Sequence, residues 1–149
     1  MADPLQRPAK KDPQKRTTSP TLPPFARSRK AVAFTAAAAE GRFALQVCDE
    51  CEQVTYPPRE VCPKCWSMEL NWRDVESGGE LIAATTLRTS VNTYFRERMP
   101  WRIGTVQLDA GPTVLAHIHG DVEEFARVTI IARTDKSGQG VMLALPVKE

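Results

Sequence analysis

Four cysteines, the only ones in the chain, fall within the eighteen residues from Cys48 to Cys65. They form two pairs, Cys48-Asp49-Glu50-Cys51 and Cys62-Pro63-Lys64-Cys65, with ten residues between them. Two C-x-x-C pairs at this separation bring four thiolates to the corners of a tetrahedron, the geometry that Zn²⁺ accepts in closed structural sites. A site filled entirely by protein leaves no vacancy for water or substrate, so it builds structure rather than performing a reaction. A tetrahedral sulfur cage also suits iron. A thioredoxin-type redox pair needs only one C-x-x-C at a helix start, for which Pro63 is the single hint, and two disulfides need an oxidising compartment. The spacing favours one structural zinc per chain.

The rest of the chain is long enough for one ordinary domain, or for a metal clip attached to a small barrel. No apolar run approaches the ~20 residues of a membrane span, and the Ala31–Ala39 stretch reads as a short helix between Lys30 and Glu40. Charge is unevenly distributed. Residues 1–30 hold eight Lys/Arg against Asp3 and Asp12, a net of +6, whereas residues 31–149 carry a net of −4. A nucleic-acid-binding core would show its basic face on the domain itself, so the mildly acidic body disfavours that class. No apolar signal region follows the early basic residues. Asp3, Asp12 and six prolines argue against an amphipathic targeting helix. Cysteines paired for metal fit a reducing compartment, and the expected location is the cytoplasm.

Residues 1–28 carry those six prolines among Lys, Arg, Gln, Thr and Ser. Such a segment cannot bury enough apolar surface to offset its chain entropy, so a disordered basic tail is expected, with an arm docking on an acidic partner as the alternative. Ser28 to Glu40 then suits a helix with Ala31, Val32, Phe34, Ala37 and Ala38 on its apolar face and Gly41 as C-cap. Phe43, Leu45 and Val47 alternate with polar or small neighbours and predict a strand into the first cysteine pair. After Cys65 the pattern becomes short strands: 70–75 and 80–88 around a Ser77-Gly78-Gly79 turn, 103–108 and 113–119 around Asp109-Ala110-Gly111-Pro112, then 127–133 and 141–145. The expected fold is mainly β: a helix and rubredoxin-like zinc ribbon over 29–70, followed by a small antiparallel OB-fold barrel over 71–149.

The residues around the clip extend a resemblance well beyond the cysteines. Phe43-x-Leu45-Gln46-x-Cys48-x-x-Cys51, Tyr56-Pro57-Pro58-Arg59-x-x-Cys62-Pro63-x-Cys65-x-Ser67 and Leu70-x-Trp72 resemble the zinc-ribbon/OB-fold acyl-CoA-associated protein family. Ser77-Gly78-Gly79, Met99-Pro100-Trp101 and Val106-x-Leu108-Asp109-x-Gly111-Pro112 sit where that family has comparable elements. The resemblance spans about residues 29–147 and implies an accessory subunit without catalytic residues of its own. Such subunits pair with thiolase-like proteins or with hot-dog-fold enoyl-CoA hydratases, and the barrel lies against the partner's active site with a CoA thioester between them. Two departures stand out. Glu52 replaces the family's Gly after the second cysteine, where a left-handed turn would cost about a kilocalorie. Phe125-Ala126-Arg127 replaces a Gly-containing segment before the penultimate strand.

Two further groups carry possible chemistry. His117 and His119 share one face of a strand. With no third ligand fixed nearby, they read as polar residues on the outside of the barrel, with Val114, Ala116 and Ile118 inside. The loop Tyr94-Phe95-Arg96-Glu97-Arg98-Met99-Pro100-Trp101-Arg102 mixes aromatics with arginines. Such a mixture stacks an adenine and pairs with CoA phosphates, stacks the bases of a single strand, or anchors a protein partner. The expected ligands of the metal are Cys48, Cys51, Cys62 and Cys65. The expected contacts with partner or acyl-CoA are Arg59, Tyr94, Phe95, Arg96, Arg98 and Trp101. The alternative to the accessory subunit is a zinc-ribbon/OB-fold module for single-stranded nucleic acid.

Overall fold

The computed structural model describes residues 21–25 and 28–147. The expectation of a disordered tail over residues 1–20 lies outside the described residues. Residues 21–25 lie on the body of the protein, and the buried Pro23 among them departs from that expectation.

A single 3₁₀ turn, Arg29–Ala31, leads into helix α1, Val32–Ala39. The helix is shorter than the sequence pattern suggests, and Val32 is exposed; only Phe34, Ala37 and Ala38 are buried. Gly41 ends it in the left-handed region at φ 74°, with its N–H donating to the Ala38 carbonyl, as expected for a glycine past a helix end. Strand β1 (Ala44–Cys48) follows, then β2 (Val54–Thr55) and β3 (Leu70–Asp74). They form a three-stranded antiparallel sheet in the order β2-β1-β3. All five residues of β1 are buried, so the alternation read in the sequence does not divide core from solvent: both faces of this central strand are covered.

The second unit is a closed five-stranded barrel in the order β4-β5-β6-β8-β7. Its strands are β4 (Gly78–Leu87), β5 (Trp101–Leu108), β6 (Thr113–Ile118), β7 (Arg127–Thr134) and β8 (Gly140–Pro146). A four-residue helix α2, Thr93–Arg96, sits in the β4–β5 connection, capped by Asn92 Oδ1 accepting from the Tyr94 and Phe95 amides. The β5–β6 hairpin at Asp109–Pro112 is as the sequence predicts. The barrel is not wholly antiparallel, because β6 and β8 pair in parallel at His117↔Leu143 and Ile118↔Ala144. Nothing in the local pattern of either strand records the direction of its neighbour.

Ser77-Gly78-Gly79 is not a turn. Gly78 and Gly79 are strand residues that pair with Thr129 and Val128 of β7, and Gly79 also faces Leu108 of β5. Strand β4 bridges two neighbours here, and a Cβ at Gly79 would lie 2.6 Å from the Gln107 carbonyl oxygen. Glycine is needed for the close approach of backbones.

Ribbon and barrel share one core. Phe34, Ala38, Phe43 and Leu45 belong to the same buried cluster as Leu81, Val106, Val114, Val128, Ile130 and Ala144. Helix α1 forms the junction: Phe34 lies against Gly140, whose amide donates to Thr35 Oγ1 at 3.0 Å. Strand β3 straddles the boundary expected at residue 70, and only Val75, Glu76 and Ser77 separate it from β4. Among the described residues, no helix is long and apolar enough to cross a membrane.

Candidate metal centre and aromatic cleft

The four cysteines converge at the end of the ribbon. Their sulfurs all lie within 4.8 Å of one another, with Cys48 Sγ 3.5 Å from Cys65 Sγ and Cys51 Sγ 3.6 Å from Cys62 Sγ. Disulfide sulfurs would be about 2.05 Å apart, so these are four thiols. Zn–S bonds of about 2.3 Å place tetrahedral sulfurs about 3.8 Å apart, and the observed cluster fits that cage. Cys48 and Cys62 are completely buried, whereas Cys65 is exposed at the rim.

Each pair is wound into the same knuckle. The amide of Glu52 donates to the Cys48 carbonyl at 2.9 Å, and the amide of Trp66 donates to the Cys62 carbonyl at 3.0 Å. Both residues are left-handed, Glu52 at φ 59° and Trp66 at φ 65°. The turn usually given to glycine is therefore kept here without one. Phe125, at the other departure from the family pattern, is left-handed as well, at φ 66°. Replacing Glu52 by glycine should relieve the steric cost of that conformation, partly offset by glycine's larger entropy loss on folding. Glu52→Gly is expected to stabilise by about 0.5 kcal/mol and raise the melting temperature by about 2 °C. A lower melting temperature would assign the Glu52 side chain a structural role.

The knuckles also tune the thiols. Burial is the largest influence on Cys62 and pushes it up, but amides of Cys65 and Lys64 and the neighbouring thiols outweigh it and bring it down to about 6. At Cys65 the Ser67 amide is the largest influence and lowers it; burial and the other three thiols prevail and push it up to about 12. Once one sulfur carries charge, its neighbours resist ionisation. A dication relieves that conflict for all four.

A second feature lies where ribbon, helix and barrel meet. A cleft of about 540 Å³ is lined by Phe34, Tyr56, Tyr94, Phe95, Trp101 and His117, among others. Three of the expected contact residues, Tyr94, Phe95 and Trp101, thus come together. Phe95 packs edge-on against both Tyr94 and Trp101, with ring centroids 5.2 and 5.4 Å away. The three expected arginines do not line the cleft. Arg96 donates to the Ser90 and Val91 carbonyls, and Arg98 donates to the Tyr94 carbonyl while lying 3.8 Å over the Tyr94 ring. Both guanidinium groups hold their own loop together. Arg59 is exposed on the ribbon loop, whose backbone is clamped by the Gln46 side chain: Arg59 N–H donates to Gln46 Oε1 at 2.6 Å, and Gln46 Nε2 donates to the Arg59 carbonyl.

His117 departs from its sequence reading. It is half-buried rather than on an exposed face; its Nδ1 accepts from Trp101 Nε1 at 2.9 Å, and its ring stacks on Phe95. His119 lies beyond the end of β6 and is exposed, so the two histidines do not act as a pair. Val114 and Ala116 point inward as expected, and Ile118 is half-buried. Alternation placed His117 on the face opposite Val114 and Ala116, but not the neighbouring β4–β5 loop that folds over that face. Sequence reasoning also missed Pro23, Tyr56 and Asp135 as cleft residues.

Comparison with known proteins matches the fold as built. Residues 35–70 match the family described as the ChsH2 rubredoxin-like zinc ribbon domain, and residues 72–132 match the ChsH2 C-terminal OB-fold domain. A solved chain titled "Ltp2-ChsH2(DUF35) aldolase" superimposes with a TM-score of 0.70 at 20% identity, covering 81% of this chain and 97% of that one. A DUF35-family protein of unknown function from Sulfolobus solfataricus superimposes with a TM-score of 0.55 at 15% identity, covering 78% and 84%. No curated protein matches the sequence. With both domains matched in order and four thiols placed as a ribbon requires, the chain belongs to the ChsH2 family of zinc-ribbon and OB-fold proteins.

Proposed function

We propose that this chain is a non-catalytic accessory subunit of an acyl-CoA-processing complex, and that its partner is a thiolase-like enzyme. Cys48, Cys51, Cys62 and Cys65 would hold one structural zinc, which fixes the ribbon and takes no part in the reaction. The observation that carries this reading is the superposition over nearly the whole of a chain described as an Ltp2-ChsH2(DUF35) aldolase. The chemistry of the site supports it. All four cysteines of the sequence are gathered in the cluster, so none is left to act as a thioester-forming nucleophile elsewhere. The cleft has aromatic walls, while His117 Nδ1 accepts from Trp101 and Asp135 Oδ1 accepts from the amides of its own turn. That arrangement suits holding an apolar acyl portion or a partner's side chain.

In this reading Tyr94, Phe95 and Trp101 meet the shared acyl-CoA channel, and exposed Arg59 is the candidate for a phosphate or partner carboxylate. Trp66 and Met68 stand about three-quarters exposed on the second knuckle and would provide a further apolar contact, since large exposed aromatics are enriched at interface anchors. Co-expression with its thiolase-like partner should yield a complex stable through size-exclusion chromatography. Trp101→Ala should weaken that complex about thirtyfold, the loss of a hot-spot residue worth about 2 kcal/mol. If the partner turns over its thioester equally well without this chain, the accessory role is wrong.

A further inference from the structure

The aromatic cleft has one wall that comes from a distant part of the chain. Buried Pro23 and its neighbour Pro24 both line it, and both belong to the proline-bearing segment Thr21-Leu22-Pro23-Pro24-Phe25. The segment is tied down on both sides of the cleft. On one side Thr21 Oγ1 donates to Glu97 Oε2 at 2.7 Å and accepts from Arg98 at 3.4 Å, just beyond α2. On the other side Ser137 Oγ, in the β7–β8 turn, donates to the Pro23 carbonyl at 2.7 Å. The two anchors belong to segments forty residues apart in sequence, and the strap crosses from one to the other.

These contacts have the chemistry of proline recognition. A residue before proline is driven into extended or polyproline II conformation, and here both Leu22 and Pro23 precede a proline. Such a strand has no internal hydrogen bonds, so its carbonyls are free to accept from a reader, and its ordering cost is already low. Readers of proline segments offer a groove of aromatic side chains together with a donor to the ligand backbone. Tyr56, Tyr94, Phe95 and Trp101 supply the aromatic walls, and Ser137 supplies the donor. The strap's two large apolar side chains play no part in this docking: Leu22 and Phe25 are 58% and 72% exposed. The strap presents its prolines to the cleft and leaves its larger apolar side chains outside.

We propose that the cleft is a proline-reading groove whose resident ligand is this chain's own Thr21–Phe25 segment, which acts as a displaceable cover. The sequence immediately before it, Ser19-Pro20, completes a P-x-x-P spacing with Pro23. Only residues 26 and 27 separate the strap from Ser28 and the following 3₁₀ turn, so the tether is short and holds the segment near its groove at an effective concentration in the millimolar range. Any other occupant of the cleft, whether a ligand or a partner, must compete with it. This role is independent of which partner the chain serves.

The test uses the full chain and a fluorescein-labelled synthetic peptide of residues 19–25. In the wild type the tethered strap should compete, so a P23A/P24A chain should bind the peptide at least about tenfold more tightly. Thr21→Val, which removes the strap's anchor on Glu97 and leaves the groove's own residues intact, should give a smaller gain and serves if the P23A/P24A chain folds poorly. A peptide with its prolines replaced by alanine should bind neither chain, and adding Trp101→Ala to P23A/P24A should abolish binding. Equal affinity for wild type and both strap variants overturns the proposal. So does binding that ignores the peptide's prolines, and so does failure of a P23A/P24A chain with wild-type melting behaviour to bind the peptide.

Discussion

Stripping the metal with a strong chelator will unfold the ribbon, and the loss will be visible as deprotection of the amides of β1, β2 and β3 in hydrogen exchange. The knuckle segment of the ribbon has little else to hold it. Strand β2 is two residues long, and the 21 residues between β1 and β3, which include it, run mostly through turns and the cysteine knuckles. Apparent binding energies of structural zinc are about 10–16 kcal/mol in zinc-finger peptides, and because the site does not exist in the unfolded chain, binding energy is folding energy. Cys62→Ser and Cys48→Ser, at fully buried positions, should each lose stoichiometric zinc and most soluble expression. Cys65→Ser, at the exposed rim, should retain weaker metal binding. The damage will spread, because Phe43 and Leu45 lie in the same core as the barrel strands; the barrel should melt at lower temperature rather than stay unchanged. Protein purified under reducing conditions with far less than one zinc per chain, or an unchanged melting curve after complete removal of metal, would sink the assignment.

The second large effect is expected at two glycines inside the barrel. A Cβ at Gly79 would lie 2.6 Å from a backbone oxygen of β5, and one at Gly104 would lie 2.5 Å from Leu81 Cδ1 and 2.8 Å from the Ala83 carbonyl oxygen. Both are buried, and backbone cannot step aside as a flexible side chain can. Overpacking of this kind costs about 1–3 kcal/mol, and contact with backbone puts these positions at the upper end. Gly79→Ala and Gly104→Ala should each lower stability by about 3 kcal/mol, or the melting temperature by about 10 °C. Gly78→Ala provides the contrast, since its new methyl meets only the Asp109 and Arg127 side chains, and it should cost much less. Equal effects at Gly78 and Gly79 would show that the glycines serve flexibility rather than close packing.

These two predictions also mark where the sequence was and was not readable. The cluster of four cysteines was legible because its members sit in two local motifs, each wound into a turn by its own backbone. The strands of the barrel were legible from apolar alternation at positions such as Val128, Ile130 and Ala132. Gly78 and Gly79 were misread because glycine marks a turn and a close strand crossing with the same letter. The parallel closure of β6 on β8 and the cleft were out of reach for a common reason. Each is assembled from segments distant in sequence, and no local pattern says that Pro23, Tyr56, Phe95 and His117 will face one space. The arginines beside the aromatics suggested phosphate, whereas Arg96 and Arg98 are engaged within the chain, on carbonyls of their own loop and, for Arg98, on Thr21 as well. Composition gives the inventory of a loop, but not which of its groups have already been used.

The three-residue link from β3 to β4 has a consequence for recognition. With a shared core on one side and so short a join on the other, the knuckle bearing Trp66 and the mouth of the cleft are set at a fixed separation, like the jaws of a gauge. A protein that touches both must match that spacing before any single contact counts. Selectivity can then reside in distance, and the individual contact residues are free to drift.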